Sequence, residues 1–323
     1  MKWGVLSALL LPALGGSASH ESVRDILRLP KGFPMPAIPV TNPLTREKVL
    51  LGRYLFYDKR MSLNGTISCG GCHKQELAFT DGLDHARGAT GQTHPRSAMT
   101  LVNVAWNEAF NWGDPTVHSL EEQALKPMDG TQPVELGFNS VEKQFLHLAE
   151  SDDMYRKMFI LAFPGEARPW TTANIVNAIA SFERTIVSGN SPWDRFHFDG
   201  EEEAISESAK RGEQLFFLPG LTECFQCHAG FDFSDAAVQT RPVVFHNTGL
   251  YNLAGKISYP EGGRGVYEGS HRPQDVGMFK TPTLRNIAVT GPYMHDGSAA
   301  TLEEVIDHYT AGGRVITTGK NAG

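Results

Sequence analysis

Every cysteine of the chain lies in one of two copies of a single pattern. They are Cys69-Gly70-Gly71-Cys72-His73 and Cys224-Phe225-Gln226-Cys227-His228. On one helical turn, positions i, i+3 and i+4 share a face. Two thiols can then bond the vinyl groups of one porphyrin while the next histidine reaches its iron. Cys-x-x-Cys-His is the attachment signature of c-type haem. Two disulfides would leave both histidines unexplained, and a four-thiolate zinc site would need both motifs in one place. The sequence therefore predicts two covalently bound haems c, with His73 and His228 as proximal ligands.

An internal repeat must position these motifs. Leu51-Gly52-Arg53-Tyr54-Leu55-Phe56-Tyr57 precedes the first, and Arg211-Gly212-Glu213-Gln214-Leu215-Phe216-Phe217 precedes the second. Gly52 aligns with Gly212, Leu55 with Leu215 and Phe56 with Phe216. Each block predicts a short helix with an apolar face, entered from Thr45 or Ser208 as N-cap. The shared glycine predicts close approach to another helix. The expected fold is mainly α: two cytochrome c-like helical domains, each carrying one covalently attached haem.

The rest of the chain follows from composition. Residues 1–19 read as a signal peptide, with Lys2, an apolar run from Val5 to Leu14 and small residues around Ala18. Residues 20–44 are a Pro-rich, irregular lead-in. An N-terminal cytochrome c-like domain is expected over 45–200. A C-terminal one over 201–323 is expected to be truncated at its end. Ile175, Ile179, Phe182 and Ile186 predict an amphipathic helix ended by Ser188-Gly189-Asn190-Ser191-Pro192. Glu201-Glu202-Glu203 reads as a solvated linker, and about 240–275 as a Gly/Pro-rich insertion. The chain of 323 residues has 29 basic and 36 acidic side chains, a net charge of −7. That balance excludes a nucleic-acid binder driven by phosphate neutralisation. No internal run reaches the ~18 apolar residues of a spanning helix, so no membrane span is expected.

The sixth iron ligand separates electron transfer from catalysis. Met278, Met294, His295, His308 and Tyr309 are available to the second haem. Thr301 to Tyr309 reads as a helix with Leu302, Val305, Ile306 and Tyr309 on its buried stripe and His308 on the exposed flank. Periodicity alone makes Tyr309 a core aromatic.

Phe279-Lys280-Thr281-Pro282-Thr283-Leu284-Arg285-Asn286, Pro292-Tyr293-Met294-His295-Asp296-Gly297 and Thr301-Leu302-Glu303-Glu304 resemble the bacterial di-haem cytochrome c peroxidase/MauG superfamily. The resemblance spans the mature chain, including Ser181-Phe182-Glu183-Arg184-Thr185 and Ser191-Pro192-Trp193-Asp194-Arg195. His94-Pro95-Arg96, His246-Asn247-Thr248-Gly249-Leu250-Tyr251-Asn252 and His308-Tyr309-Thr310-Ala311-Gly312-Gly313 resemble its MbnH branch, from methanobactin operons.

The resemblance implies site roles. Tyr309 stands where conventional peroxidases carry an axial methionine, as in the MauG relatives. A hard, anionic tyrosinate stabilises a high iron oxidation state better than a thioether does. Gln123 and Pro127 match distal-pocket positions of the first haem, Glu135 matches the catalytic glutamate, and Trp112 matches the tryptophan between the haems. His85 and His94 miss the offset of the switchable histidine ligand and read as surface histidines. Ser97 and the backbone oxygens of Thr290 and Pro292 match positions of a bound calcium ion. Thr222 replaces the MauG tryptophan ahead of the second motif, which moves electron exit to an aromatic such as Phe225 or Trp193.

The function implied is a periplasmic oxidase driven by hydrogen peroxide. It would store oxidising equivalents as Fe(IV) haem and oxidise an aromatic residue, tryptophan first, of a secreted or periplasmic partner protein. The alternatives are a cytochrome c peroxidase taking electrons from a small donor cytochrome, and a non-catalytic di-haem electron carrier.

Overall fold

The computed structural model describes residues 22–237, 245–251, 259–260 and 262–314. The expected signal peptide, parts of the Gly/Pro-rich stretch and the chain after 314 lie outside the described residues. The N-terminal half contains α1 (Val23–Leu27), α2 (Arg46–Tyr57), α3 (Cys69–Cys72), α4 (Leu120–Asp129), α5 (Glu142–Ser151), α6 (Asp153–Ala162), α7 (Thr172–Glu183) and α8 (Pro192–Asp194). Then come α9 (Glu207–Phe216), α10 (Tyr267–Ser270) and α11 (Leu302–Thr310). Strands β1 (Phe245–His246) and β2 (Phe279–Lys280) form one short antiparallel pair. The fold is mainly α, as expected.

The main core forms where α2 meets α7. Thr45 caps α2 by accepting from the Lys48 amide. Leu51, Leu55 and Phe56 are buried with Ile175, Ile179 and Phe182 of α7. Each such side chain contributes about 1.5–3 kcal/mol. A Cβ on Gly52 would stand 1.8 Å from the Ala178 carbonyl oxygen, so only glycine admits this approach.

The repeated glycine does not repeat the contact. A Cβ on Gly212 would meet nothing within 4 Å, and α9 buries none of its residues. Its N-cap is Ser206, which accepts from the Ala209 amide, rather than Ser208. Starting there places Glu207 in the first turn, where the helix dipole favours an acid.

Two further expectations change. The lead-in holds a helical turn, α1, capped by Ser22 ahead of the first proline. Its Phe33 is buried against Trp106 at 5.5 Å and Phe231 at 4.7 Å. Helix α7 stops at Glu183, so Ile186 is buried outside it. Asn103 draws the chain away: its amide donates to Ile186 O at 2.9 Å and its side-chain oxygen accepts from the Ser188 amide at 2.8 Å.

Buried charge joins the two halves. Arg285 donates to both Asp194 oxygens at 2.8 Å, and Asp232 accepts from the Asn103 amide group at 2.7 Å. All four side chains are buried.

Candidate haem sites

The two attachment motifs have the same proximal geometry. The His73 amide donates to Cys69 O and the His228 amide to Cys224 O, both at 2.9 Å. All four cysteines are free, as thioether attachment requires. His73 Nδ1 lies 2.9 Å from Phe79 O, and His228 Nδ1 lies 2.9 Å from Phe233 O. Each ring therefore donates from Nδ1 and keeps Nε2 for iron. Burial lowers both histidine pKa values and favours the neutral, ligating ring.

A second repeat holds those carbonyls in place. Thr100 Oγ1 donates to Ala78 O at 2.6 Å, and Thr283 Oγ1 donates to Asp232 O at 2.6 Å. Each acceptor immediately precedes the phenylalanine that orients the proximal histidine. Asn103 and Asn286 follow in left-handed backbone at φ 58° and 59°. The sequence reading assigned this repeat no role. Its signal was Thr-Leu-x-Asn, present at Thr100-Leu101-Val102-Asn103 and again at Thr283-Leu284-Arg285-Asn286.

One cavity brings Cys69, Cys72 and His73 together with Pro127 and Glu135. Thiols, imidazole and apolar walls suit a porphyrin. Burial pushes the Glu135 carboxyl up to about 7. Its backbone is clamped on both sides: the Ala89 amide donates to Glu135 O at 2.7 Å and the Leu136 amide to Pro127 O at 2.9 Å. A Cβ on Gly88 would fall 2.0 Å from Val134 O, so glycine lets that loop close.

Other expected residues are placed differently. Gln123 is not among the cavity-lining residues, and its side-chain oxygen accepts from Asn111 at 3.2 Å. His94 does line the cavity, contrary to its reading as a surface histidine. Glu183, to which the sequence assigned no role, lines it too, and burial pushes its carboxyl up to about 8. His85 pairs with neighbouring Asp84 at 3.4 Å.

Around the second motif, the expected burial of α11 reverses. His308 is buried, with Nε2 2.8 Å from Thr248 O, whereas Tyr309 is 50% exposed. The stripe does not meet a protein core. Burial at the ring raises the Tyr309 pKa, and the nearby thiols of Cys227 and Cys224 raise it further. Tyr309 is thus close enough to the second attachment motif to feel its thiols. Of the rival ligands, His308 is engaged by Thr248, and His295 is stacked on Phe279 at 3.7 Å.

Trp112 ties the halves together. Its indole Nε1 donates to Ser97 O at 3.1 Å, and its carbonyl accepts from the Lys280 amide at 2.9 Å. Lys280 is buried with Nζ 6.0 Å from the indole centroid, and burial lowers its pKa to about 8. The Ser97 hydroxyl donates to Met294 O at 3.3 Å and so reaches the segment after Pro292. The Thr290 hydroxyl donates to Ile287 O at 3.4 Å, leaving its backbone oxygen as the one in question. Among the described residues, no group of three or more His, Cys, Asp or Glu is arranged for a metal ion.

Two attachment motifs with matched proximal geometry in one helical chain define a c-type cytochrome with two haem sites. Comparison with known proteins agrees. A family model described as di-haem cytochrome c peroxidase matches residues 46–203. The methylamine utilization protein MauG of Methylorubrum extorquens is 36% identical over 92% of this chain and 79% of its own length. Cytochrome-c peroxidase IdrP1 of a Pseudomonas species is 32% identical over 97% of this chain and 84% of its own. A crystal structure of a MauG-like protein associated with microbial copper homeostasis superposes with a TM-score of 0.86. It is 43% identical, covering 91% of this chain and 85% of that one. The chain belongs to the di-haem cytochrome c peroxidase/MauG family. It is an oxidoreductase with two covalently bound c-type haems.

Proposed function

We propose that this protein is an exported, periplasmic oxidase that uses hydrogen peroxide to oxidise an aromatic residue, tryptophan first, of a partner protein. Tyr309 carries the reading: its phenol, close enough to feel the thiols of Cys224 and Cys227, would supply the second haem with a hard oxygen ligand, and binding to iron would favour the anionic form. The copper-homeostasis relative supports an MbnH-type assignment at 43% identity. The apolar run after Lys2 supports export. Among the described residues, no helix is long and apolar enough to cross a membrane.

The bound haems supply the redox chemistry that peroxide reduction requires. The chain supplies geometry and protons. His73 and His228 would hold the two irons through Nε2, and Pro127 would offer the first no further donor atom. Glu135, ionised, takes the proton of peroxide and returns it to the departing oxygen. Trp112 couples the two sites through its contacts to Ser97 and Lys280. Ser97 with the carbonyls of Thr290 and Pro292 would hold a calcium ion where the family resemblance places one. For electron exit, Trp193 is favoured over Phe225, because it meets Phe233, the residue that orients His228, at 4.7 Å.

The test adds peroxide to the oxidised holoprotein without any reductant. Retention of two oxidising equivalents, titrated back with a one-electron donor and lost in Tyr309→Phe, supports the oxidase. Peroxide consumption only after reduction by a donor cytochrome supports the conventional peroxidase instead.

A further inference from the structure

Within the first haem cavity, the loop that clamps the Glu135 backbone also carries a histidine aimed at its carboxyl. Ala89 and Gln92 of this loop bind Glu135 O and the Val134 amide, at 2.7 and 2.9 Å. The same loop is closed on itself by His94 N to Ala86 O at 2.7 Å and Ala86 N to Arg96 O at 3.2 Å. His94 Nε2 then faces Glu135 Oε1 at 3.9 Å. His94 Nδ1 lies 3.2 Å from the Arg96 amide nitrogen and 3.3 Å from the Arg96 carbonyl oxygen; with a carboxylate facing Nε2, the tautomer that accepts from the Arg96 amide and carries its proton on Nε2 is the one that suits both sides of the ring. We propose that His94 is a positioning residue for Glu135, presenting Nε2–H to the carboxylate so that it stays ionised and aimed into the cavity. Distal contacts of this kind tighten when a ligand enters, so 3.9 Å before loading is within reach.

The surroundings keep His94 a neutral donor. Burial lowers its pKa and the Arg96 and His85 charges act in the same direction, while the Arg96 backbone and Glu268 oppose them. Arg87 and Glu183 complete the charged lining. Removing the His94 donor leaves the Glu135 carboxylate less stabilised, so its protonation moves to higher pH.

The inference rests on Glu135 being the distal base of the proposed function. Its test uses cyanide association with the oxidised holoprotein, followed by absorption across neutral pH, with haem content checked first. Hydrogen cyanide must release its proton to Glu135 before cyanide binds, so the rate reads the carboxylate without turnover. His94→Phe is expected to move the acid limb up by about one pH unit, about ten-fold slower below it. His94→Gln, which keeps an N–H donor, is expected to restore the parent profile, and Glu135→Gln to remove the limb. A His94→Phe profile that superimposes on the parent overturns the inference, as does a His94→Gln that restores nothing. A shifted limb with no oxidation of any partner residue sinks the oxidase reading and leaves His94 in its role. A first haem that takes up no cyanide overturns both.

Discussion

Pro127 of α4 and Tyr309 of α11 occupy the same register. Each is the eighth residue after a capping hydroxyl, Ser119 or Thr301, and each cap is followed by Leu-Glu-Glu. Ser119 accepts from Glu122 N at 3.1 Å, and Thr301 from Glu304 N at 3.2 Å. One helix of the repeat thus presents a phenol to its haem motif, and the other presents a ring with no donor atom. In the proposed function, repetition of the scaffold and divergence at this one position would give the two irons different environments.

Exchanging that position is expected to erase the difference. Pro127→Tyr should give the first haem a side chain able to close its sixth position, converting a high-spin spectrum to low-spin. Reaction with peroxide should slow roughly 100-fold or more, the scale of losing the distal acid–base step. Electron paramagnetic resonance and stopped-flow absorption check both outcomes.

Glu135 dictates a pH dependence. Burial raises its carboxyl to about 7, and it must be ionised to accept the peroxide proton. The rate of peroxide reaction should therefore rise as pH rises through about 7. Glu135→Gln should lower the plateau about 10²–10⁴-fold and abolish the dependence.

The two repeated glycines should respond oppositely to alanine. Gly52→Ala drives a methyl group into the Ala178 carbonyl, 1.8 Å away, and should cost at least about 1–3 kcal/mol of stability. Gly212→Ala meets no neighbour in the interior of α9 and should gain about 0.5–1 kcal/mol. Thermal unfolding of the holoproteins, monitored by circular dichroism, gives both signs.

Arg285→Met should be severely destabilising, about 3–5 kcal/mol, because it strands the buried Asp194 carboxylate. Burial alone would raise the Asp194 pKa, but hydrogen bonds from Arg285 and Ser191 outweigh it and hold the carboxyl below its usual range. That contribution is complete above the ordinary carboxylate pKa of about 3.9 and is lost as pH falls through the lowered folded value. Urea midpoints at neutral and acid pH should therefore differ more in the parent than in Arg285→Met.

Much of the site was legible because its chemistry is local. The Cys-x-x-Cys-His spacing acts within one turn, so haem number and proximal ligands could be read directly. The Gly52 contact was legible too, since a glycine inside an apolar helix signals a close neighbour. What failed depended on neighbours distant in sequence. Hydropathy placed Tyr309 inside and His308 outside, but Thr248 captures His308 and the second motif lies beside Tyr309. His94 read as a surface residue because only its loop's closure onto Glu135 brings it to the cavity.

The sequence by itself therefore determined what the protein carries: two haems, their anchors, a helical repeat and a tyrosine in place of methionine. Tertiary structure alone decided that His94 and Glu183 join Glu135 in the first haem's cavity, and how Trp112 joins the halves. The reason is physical. Covalent spacing sets contacts within a turn, whereas burial, and with it the raised Glu135 pKa, exists only once distant segments exclude water together.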